Sequence, residues 1–247
     1  MRHLLTLFLC ATLLAACGRG GNNIVLASLD RSDEIQLFCA DLDIVTGNLF
    51  TLQALLPLAI CDTDTVFAPE VEANFLAAVT QVQAGTVAAV SFTSSLIVDT
   101  NRTVPGVTTL RVGEQPTGIQ ISPFEPSFSY VSSFSPKSVQ AVPTEAIITG
   151  VEFDVDEVRF DGGPTDIALH ELAFARPLTN DEGQVVGAES SIVYRYVYAA
   201  IPELGQIAQI PVIVGEDDKH ERLGTPTFID LGTCLLYTSD AADEFCH

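Results

Sequence analysis

The sequence predicts an all-β protein that forms a partial β-propeller, an open arc of about four to five four-stranded blades. One short phrase, Pro-Thr-x-Ile, is written three times, and a glycine stands one to three residues before each copy. The prolines that open successive copies are 48 and 62 residues apart, which is close to the length of one blade. Apolar residues between the copies recur at strand spacing, and no segment strongly supports a helix of ordinary length. The residues that define the repeat are Pro116, Ile119, Pro164, Ile167, Pro226 and Ile229.

The first copy is the best developed and shows how a blade is expected to form. Pro116 fixes φ where the chain enters the blade, and Ile119 begins an apolar strand. Residues 127–132 and 138–142 are predicted to be the next two strands, around a proline-containing turn at residues 135–137. The copy therefore predicts consecutive antiparallel strands joined by short turns.

At these residues the chain resembles the YVTN-type, lactonase-like β-propeller repeats of bacterial cell-surface proteins. The matching residues form a glycine turn, a proline, an aliphatic strand, Ser-Pro and Tyr-Val, namely Gly113, Pro116, Ile119, Ser122-Pro123 and Tyr130-Val131. The second copy matches in part, because a long insertion precedes Tyr196-Val197, and the third stops soon after Ile229. The resemblance implies a propeller at a cell surface, with hydrolase activity as one expectation, although it places no catalytic residue of that family on this chain.

The N-terminal residues have the pattern of a bacterial lipoprotein signal. A short positive head containing Arg2 precedes the apolar residues 4–14, a run too short to span a membrane as a mature helix. Two alanines and Cys17 follow, so residues 1–16 are expected to be a cleaved signal peptide and Cys17 to carry the lipid. The alternative interpretation is an ordinary secretory signal with an incidental cysteine.

The glycine-rich residues 17–22 are predicted to form the lipidated cysteine and a flexible tether. The chain is thus expected in the bacterial cell envelope, held to a membrane by its N-terminal lipid. Because the residue after the cysteine is Gly18 rather than aspartate, the outer membrane is the expected destination.

The propeller is expected to occupy residues 23–233. The other strand predictions are residues 24–28, 35–42, 49–56, 75–80, 86–92, 151–160, 191–201 and 206–214. For residues 75–80 a helix is the alternative, since four apolar residues between positions 71 and 82 also share one helical face. Loops at residues 176–187 and 215–222 are where specific function is expected, because loops at propeller faces carry it.

Charge limits the classes of partner. The formal net charge is −21, so the surface repels phosphates, and nucleic acid is not expected to bind. The acidic runs at residues 154–161 and 216–218 offer oxygen ligands for calcium, but they lack the spacing of a known calcium loop. A solvated acidic face is the favoured interpretation, and no metal or cofactor is predicted.

The cysteines and histidines give few signs of chemistry. Setting aside the signal, the lipidated Cys17 and the C-terminal tail leaves Cys39 and Cys61, which in an exported protein are either paired or two buried free thiols. His170 and His220 remain as titratable candidates, each more typical of a structural or solvated residue. No nucleophile elbow, zinc-binding HExxH or CxxC motif is present in the sequence.

The sequence therefore predicts an exported, lipid-anchored propeller that acts as a surface binding or scaffolding module, with a protein or glycan as ligand. A lactonase-like or other hydrolytic enzyme is the alternative. A cluster of His, Glu and Arg at the central channel would favour the enzyme. A surface of aromatics and amides without such a cluster would favour binding.

The C-terminal residues 234–244, CLLYTSDAADE, resemble the translation of a sequencing-library adapter read through in frame. Residues 234–247 are thus expected to be an artefact without function, and the gene to be truncated. The third copy of the phrase has only begun a new blade when the pattern stops. An open arc with unpaired edges is the expected consequence.

Overall fold

The computed structural model describes residues 29, 31–45, 49–56, 61, 73–92, 96–101, 103–123, 127–179, 185–214 and 221–231. Several predictions fall outside these residues: the signal, Cys17 and its tether, the strand at 24–28, the acidic run at 216–218, His220 and residues 234–247. In the described part the strands form three antiparallel sheets, which confirms the all-β prediction. None of the described helices is long and apolar enough to cross a membrane.

The first sheet contains six strands in the order β2-β1-β3-β4-β5, with β6 also paired to β4. Its strands are β1 (Ile35–Val45), β2 (Leu49–Leu56), β3 (Ala73–Gln81), β4 (Thr86–Ser91), β5 (Leu96–Ile97) and β6 (Leu110–Arg111). The β3–β4 hairpin confirms the strand prediction over its helical alternative. Its turn ends at Gly85, whose φ of +68° favours glycine and whose missing side chain leaves room for the Gly113 carbonyl.

A disulfide joins β1 of the first sheet to the segment that follows β2. Cys39 is fully buried, and its Cα atom lies 5.9 Å from that of Cys61. Of the two interpretations left open by the sequence, the structure has the paired one.

The second sheet is a four-stranded meander in chain order, β7-β8-β9-β10, and contains the first copy of the repeat. Its strands are β7 (Glu114–Ile121), β8 (Phe128–Ser135), β9 (Ser138–Pro143) and β10 (Asp156–Arg159). The two strands predicted at 127–132 and 138–142 are thus confirmed. The short helix α1 (Thr144–Thr149) follows β9 directly and ends at Gly150.

The strand predicted at residues 151–160 is wrong for its first half. Only Asp156–Arg159 pairs with β9, and Val151 and Val155 are exposed rather than turned into a core. The cause is α1, which uses the residues after β9 and leaves the chain to return to the sheet edge only at Asp156.

The third sheet contains the second and third copies of the repeat. Its strands are β11 (Asp166–Thr179), β12 (Val185–Ile201), β13 (Gln206–Val214), β14 (Glu221–Leu223) and β15 (Thr227–Asp230). The predicted hairpin of 191–201 with 206–214 is confirmed, with a 3-10 turn at Pro202–Leu204 between its strands. The loop predicted at 176–187 is mostly strand, because the insertion lengthens the β11–β12 hairpin.

The third copy does not open a new sheet. Its strand β15 pairs with the first half of β13, whereas β14 pairs with the second half, so both lie along the same edge of the third sheet. The unpaired backbone groups of β13 offer β15 hydrogen bonds that a strand in an isolated position would lack. Ile229 is consequently exposed at this edge.

Two hydrophobic cores separate the three sheets. The first core joins β1, β3 and β4 to one face of the second sheet, where Ile119 and Val131 point. The second core joins the other face of the second sheet, with Tyr130 and Val139, to Val197 and its neighbours in the third sheet. The second sheet is therefore covered on both faces, while the first and third sheets each have an outer face.

Candidate functional site

The first two copies of the repeat lie side by side. Thr117 in β7 donates a hydrogen bond from Oγ1 to the carbonyl oxygen of Pro164, at 2.9 Å. Pro116, Ile119, Pro164 and Ile167 are all buried at this junction. The third copy is elsewhere, because Pro226 and Ile229 lie at the edge of β13. The repeat-defining residues thus position β7 against β11 and contribute no reactive group.

Glu34, just before β1, is held at the same junction. The Ile119 amide donates to Glu34 Oε2 at 2.7 Å, and the Gln120 side chain donates to Oε1 at 3.2 Å. A Cβ atom on Gly118 would lie 3.0 Å from this carboxylate, so glycine gives it room. Burial raises the pKa of Glu34, and the nearby charge of Asp166 raises it further, against the lowering effect of the two hydrogen bonds.

The raised pKa of Glu34 predicts how stability depends on pH. A carboxyl group with a higher pKa in the folded state binds its proton more readily there than in the unfolded chain. Its contribution to the free energy of unfolding is therefore fully present below the ordinary value of 4.5 and is lost as pH rises through the folded pKa. Glu34→Gln is expected to remove this decrease in stability. Urea unfolding at a series of pH values above and below 4.5 would measure the free energy of unfolding of both proteins.

Glu157 provides a control, because its pKa is shifted in the opposite direction to that of Glu34. Burial raises its pKa, but hydrogen bonds from Ser138, Arg159 and Gln140 outweigh this and lower it. Its contribution is present above the ordinary pKa and is lost as pH falls, so Glu157→Gln is expected to change the acid side of the profile. Identical profiles for the two variants would contradict the assignment of Glu34.

A buried ion pair links the third sheet to the second. Glu171 and Arg195 are direct partners across β11 and β12, and their side chains are 6% and 0% exposed. The Arg195 Nε atom contacts Glu171 Oε1, and its Nη1 and Nη2 atoms donate to Tyr130 at 3.0 Å and Ser122 at 2.5 Å. Because the guanidinium group is enclosed and bound on three sides, its role is structural.

His170 does not join this ion pair. Neighbouring residues of a strand point to opposite faces, so His170 is exposed on the outer face of the third sheet while Glu171 is buried beneath it. There the Nε2 atom of His170 lies 3.3 Å from the hydroxyl of Tyr194. The three titratable residues therefore do not converge on one point.

The outer face of the third sheet carries a row of tyrosines. Tyr194, Tyr196 and Tyr198 alternate along β12, with ring centroids 5.8 and 6.4 Å apart, and His170 extends the row at 5.5 Å from Tyr194. Gln209 donates to the Tyr198 hydroxyl at 2.9 Å. We call this surface the tyrosine face; strand register assigns to it Ala168, His170, Leu172, Tyr194, Tyr196, Tyr198, Gln209, Pro211, Ile213 and Arg222.

The tyrosine face differs in charge from the chain as a whole. None of these ten residues is Asp or Glu, although the chain has 32 acidic residues and a net charge of −21. The exposed Asp166, two residues before Ala168 on the same side of β11, lies at the end of the face. The tyrosine face includes exposed aliphatic residues, of which Ile213 is 57% exposed. Tyrosine and arginine with few acidic residues are typical of the centre of a protein interface.

Residues 150–155, of which Glu152 and Asp154 are acidic, lie elsewhere, along a cleft of about 600 Å³ that Leu110 and Arg111 also line. In the part of the chain that the structure describes, no three His, Cys, Asp or Glu residues are grouped so that they could hold a metal ion. The calcium alternative for residues 154–161 therefore gains no support from the geometry.

Comparison with protein-family models gives no match to the chain, and a search of curated proteins gives none either. Function is therefore inferred from the geometry of the surfaces themselves.

Proposed function

We propose that this protein is an exported, lipid-anchored scaffolding module of β-propeller type that binds a protein partner through the tyrosine face. The observation that carries the proposal is a partly exposed aromatic sheet face on which strand register places a single acidic residue, Asp166 at one end, in a chain of net charge −21. Burying the tyrosine row gains hydrophobic free energy, and the Asp166 carboxylate lies at the end of the face, where it can stay in water.

Three features support the propeller interpretation. The second sheet is a meander of four antiparallel strands in chain order, which is the form of a propeller blade. The first two copies of the repeat lie next to each other through Thr117 and Pro164. The sheets pack face to face in the order of the chain. The three sheets would then be consecutive blades of an open arc, with β15 folded back onto the last of them.

A protein is favoured over a glycan as the partner. Stacking on sugar rings needs flat, exposed aromatic platforms, whereas the Tyr194 and Tyr196 rings are tilted by 52° to each other. Leu172, Pro211 and Ile213 add aliphatic surface beside the row and offer few hydrogen-bond partners for sugar hydroxyls. The hydrolase alternative has less support, because the Glu171–Arg195 pair is enclosed and His170 faces away from it.

The lipid anchor gives the first test of the location. Since Cys17 follows a charged head and an apolar run, the wild-type chain is expected in the membrane fraction with incorporated acyl label. Cys17→Ala is expected to abolish both, and Cys10→Ala, within the signal, serves as the matched control. Unchanged membrane association of Cys17→Ala would contradict the proposed anchor.

A photo-cross-linking residue placed at position 213 tests the binding surface. Ile213 is exposed on the tyrosine face, so a photo-cross-linking residue in its place is expected to form protein adducts in intact cells. The same residue at position 107 is the control, because Val107 is exposed in a loop away from the tyrosine face. Absence of adducts at position 213, or equal adducts at both positions, would contradict the proposed surface.

A further inference from the structure

The loop between β5 and β6 carries a short motif that the tyrosine face does not involve. Asn101-Arg102-Thr103 is the only Asn-x-Ser/Thr triplet in the 247 residues, although the chain contains six asparagines. This triplet is the acceptor motif for N-linked glycosylation of exported proteins, in which the asparagine side chain receives the sugar and a hydroxyl is needed two residues later. Such a triplet is an acceptor only on an accessible surface loop, so its position in the fold decides whether it can act.

Asn101 lies at the start of an exposed loop tip. Asn101 and residues 103–107 are all exposed, including the apolar Val104 at 46% and Val107 at 41%. A Cβ atom placed on Gly106 would meet no other atom within 4 Å. The loop tip therefore has open space around it, as the attachment of a bulky sugar requires.

Hydrogen bonds fix the base of this loop. The Asp99 Oδ1 atom accepts from the amide of Asn101 at 3.1 Å, and from the amide and hydroxyl of Thr108 at 3.0 and 2.6 Å. The Thr100 amide donates to the Thr108 carbonyl oxygen at 3.0 Å. The Thr100 carbonyl lies against Gly150 at the end of α1, where a Cβ atom would clash with it. The base is thus packed on α1, and it presents the exposed tip in a defined position.

The Asn101 side chain is bound through its oxygen and not through its nitrogen. The Thr103 amide and hydroxyl both donate to Asn101 Oδ1, at 3.1 and 2.6 Å. Because a backbone amide can only donate, this atom is the carbonyl oxygen, and the other terminal atom is the amide nitrogen Nδ2. Nδ2 makes no hydrogen bond to any residue that the structure describes. The atom that receives the sugar therefore belongs to an exposed side chain, and the hydroxyl of the triplet lies beside it.

We propose that Asn101 is the acceptor of an N-linked oligosaccharide. The donor is an oligosaccharide joined through a diphosphate to a membrane lipid, and a membrane oligosaccharyltransferase catalyses the transfer. A bond forms between Asn101 Nδ2 and the anomeric carbon of the first sugar, while the bond from that carbon to the diphosphate oxygen breaks. The lipid diphosphate leaves with the bonding electron pair, one proton of Nδ2 passes to the solvent, and nothing is oxidised or reduced. This site shares the proposed export of the chain but is independent of the tyrosine face.

Transfer of sugar to the folded, full-length chain tests the site. The purified chain would be incubated with membranes whose oligosaccharyltransferase and lipid-linked donor are verified on a short Asn-x-Thr peptide. The mass of the chain is expected to rise from 26.4 kDa by one oligosaccharide, carried on the peptide that contains Asn101. Asn101→Gln and Thr103→Val are expected to abolish this increase, whereas Thr103→Ser keeps the hydroxyl and is expected to retain it. Thr109→Val removes a nearby hydroxyl outside the triplet and, as the matched control, is expected to change nothing.

Three results would overturn the proposed acceptor. An unchanged mass of the folded chain, beside a modified peptide, would mean that the transferase does not reach the loop. Added mass in Asn101→Gln would place the sugar on another residue. Equal transfer to Thr103→Val would mean that the triplet is not what the enzyme recognises. None of these results concerns the lipid anchor or the tyrosine face, which Cys17→Ala and the cross-linker at position 213 test separately.

Discussion

Replacing Arg195 with methionine is expected to lower the free energy of unfolding by about 3–5 kcal/mol. Methionine keeps much of the side-chain volume but leaves the Glu171 carboxylate buried, 6% exposed, without its cation. Tyr130 and Ser122 lose a donor at the same time. Urea unfolding of the variant beside the wild type would measure the change.

A second variant separates the ion pair from the packing around it. Arg195→Met combined with Glu171→Leu removes both charges. The free energy of unfolding of this double variant is expected to lie within about 1–2 kcal/mol of that of the wild type. Pairs of this kind are costly to break but often neutral to replace by apolar residues of similar volume. If the double variant is no more stable than Arg195→Met alone, the loss does not come from the unpaired carboxylate.

Breaking the disulfide is expected to have the next largest effect. Cys39 and Cys61 are 22 residues apart, and a bond that closes a loop of this length stabilises a protein by about 3 kcal/mol in the chain-entropy estimate. Cys61→Ser is therefore expected to lower the free energy of unfolding by that amount, which is seen as a lower urea midpoint, and added reductant is expected to have the same effect on the wild type.

The control for the disulfide is Cys234→Ser. Cys234 belongs to residues 234–247, which are expected to be an adapter-derived artefact, so its loss is expected to leave the midpoint unchanged. A Cys61→Ser variant with the stability of the wild type would show that the bond contributes nothing to folding. The adapter origin of residues 234–247 stays a prediction. Sequencing the source DNA without adapters would test it.

The strands were predictable where the sequence carries local signals. Glycine and proline turns with alternating apolar residues identified β3, β4, β8, β9, β12 and β13. The prediction of a strand at residues 151–155 is wrong because alternation alone does not show that α1 precedes them. The third copy was misjudged because its strand pairs with β13, a choice made by a distant sheet edge and not by local residues.

The candidate surface was less predictable than the fold. The ion pair between Glu171 and Arg195 depends on the register of β11 with β12, which a 24-residue separation in sequence does not disclose. A signal for the tyrosine face was present, since Tyr194, Tyr196 and Tyr198 alternate along one strand. Alternation places them on one face but leaves open whether that face is the core or the outside.

Hydroxyl-radical footprinting of Tyr194, Tyr196 and Tyr198 tests the central claim most directly. It would compare oxidation of these side chains in intact cell envelopes with oxidation in the chain diluted to a monomer, using the fully buried Tyr130 as the protected reference. If the tyrosine face is an interaction surface, the three tyrosines should be protected in the envelope and oxidised in the monomer, while Tyr130 stays protected in both. Equal oxidation of the three tyrosines in both samples would contradict the account.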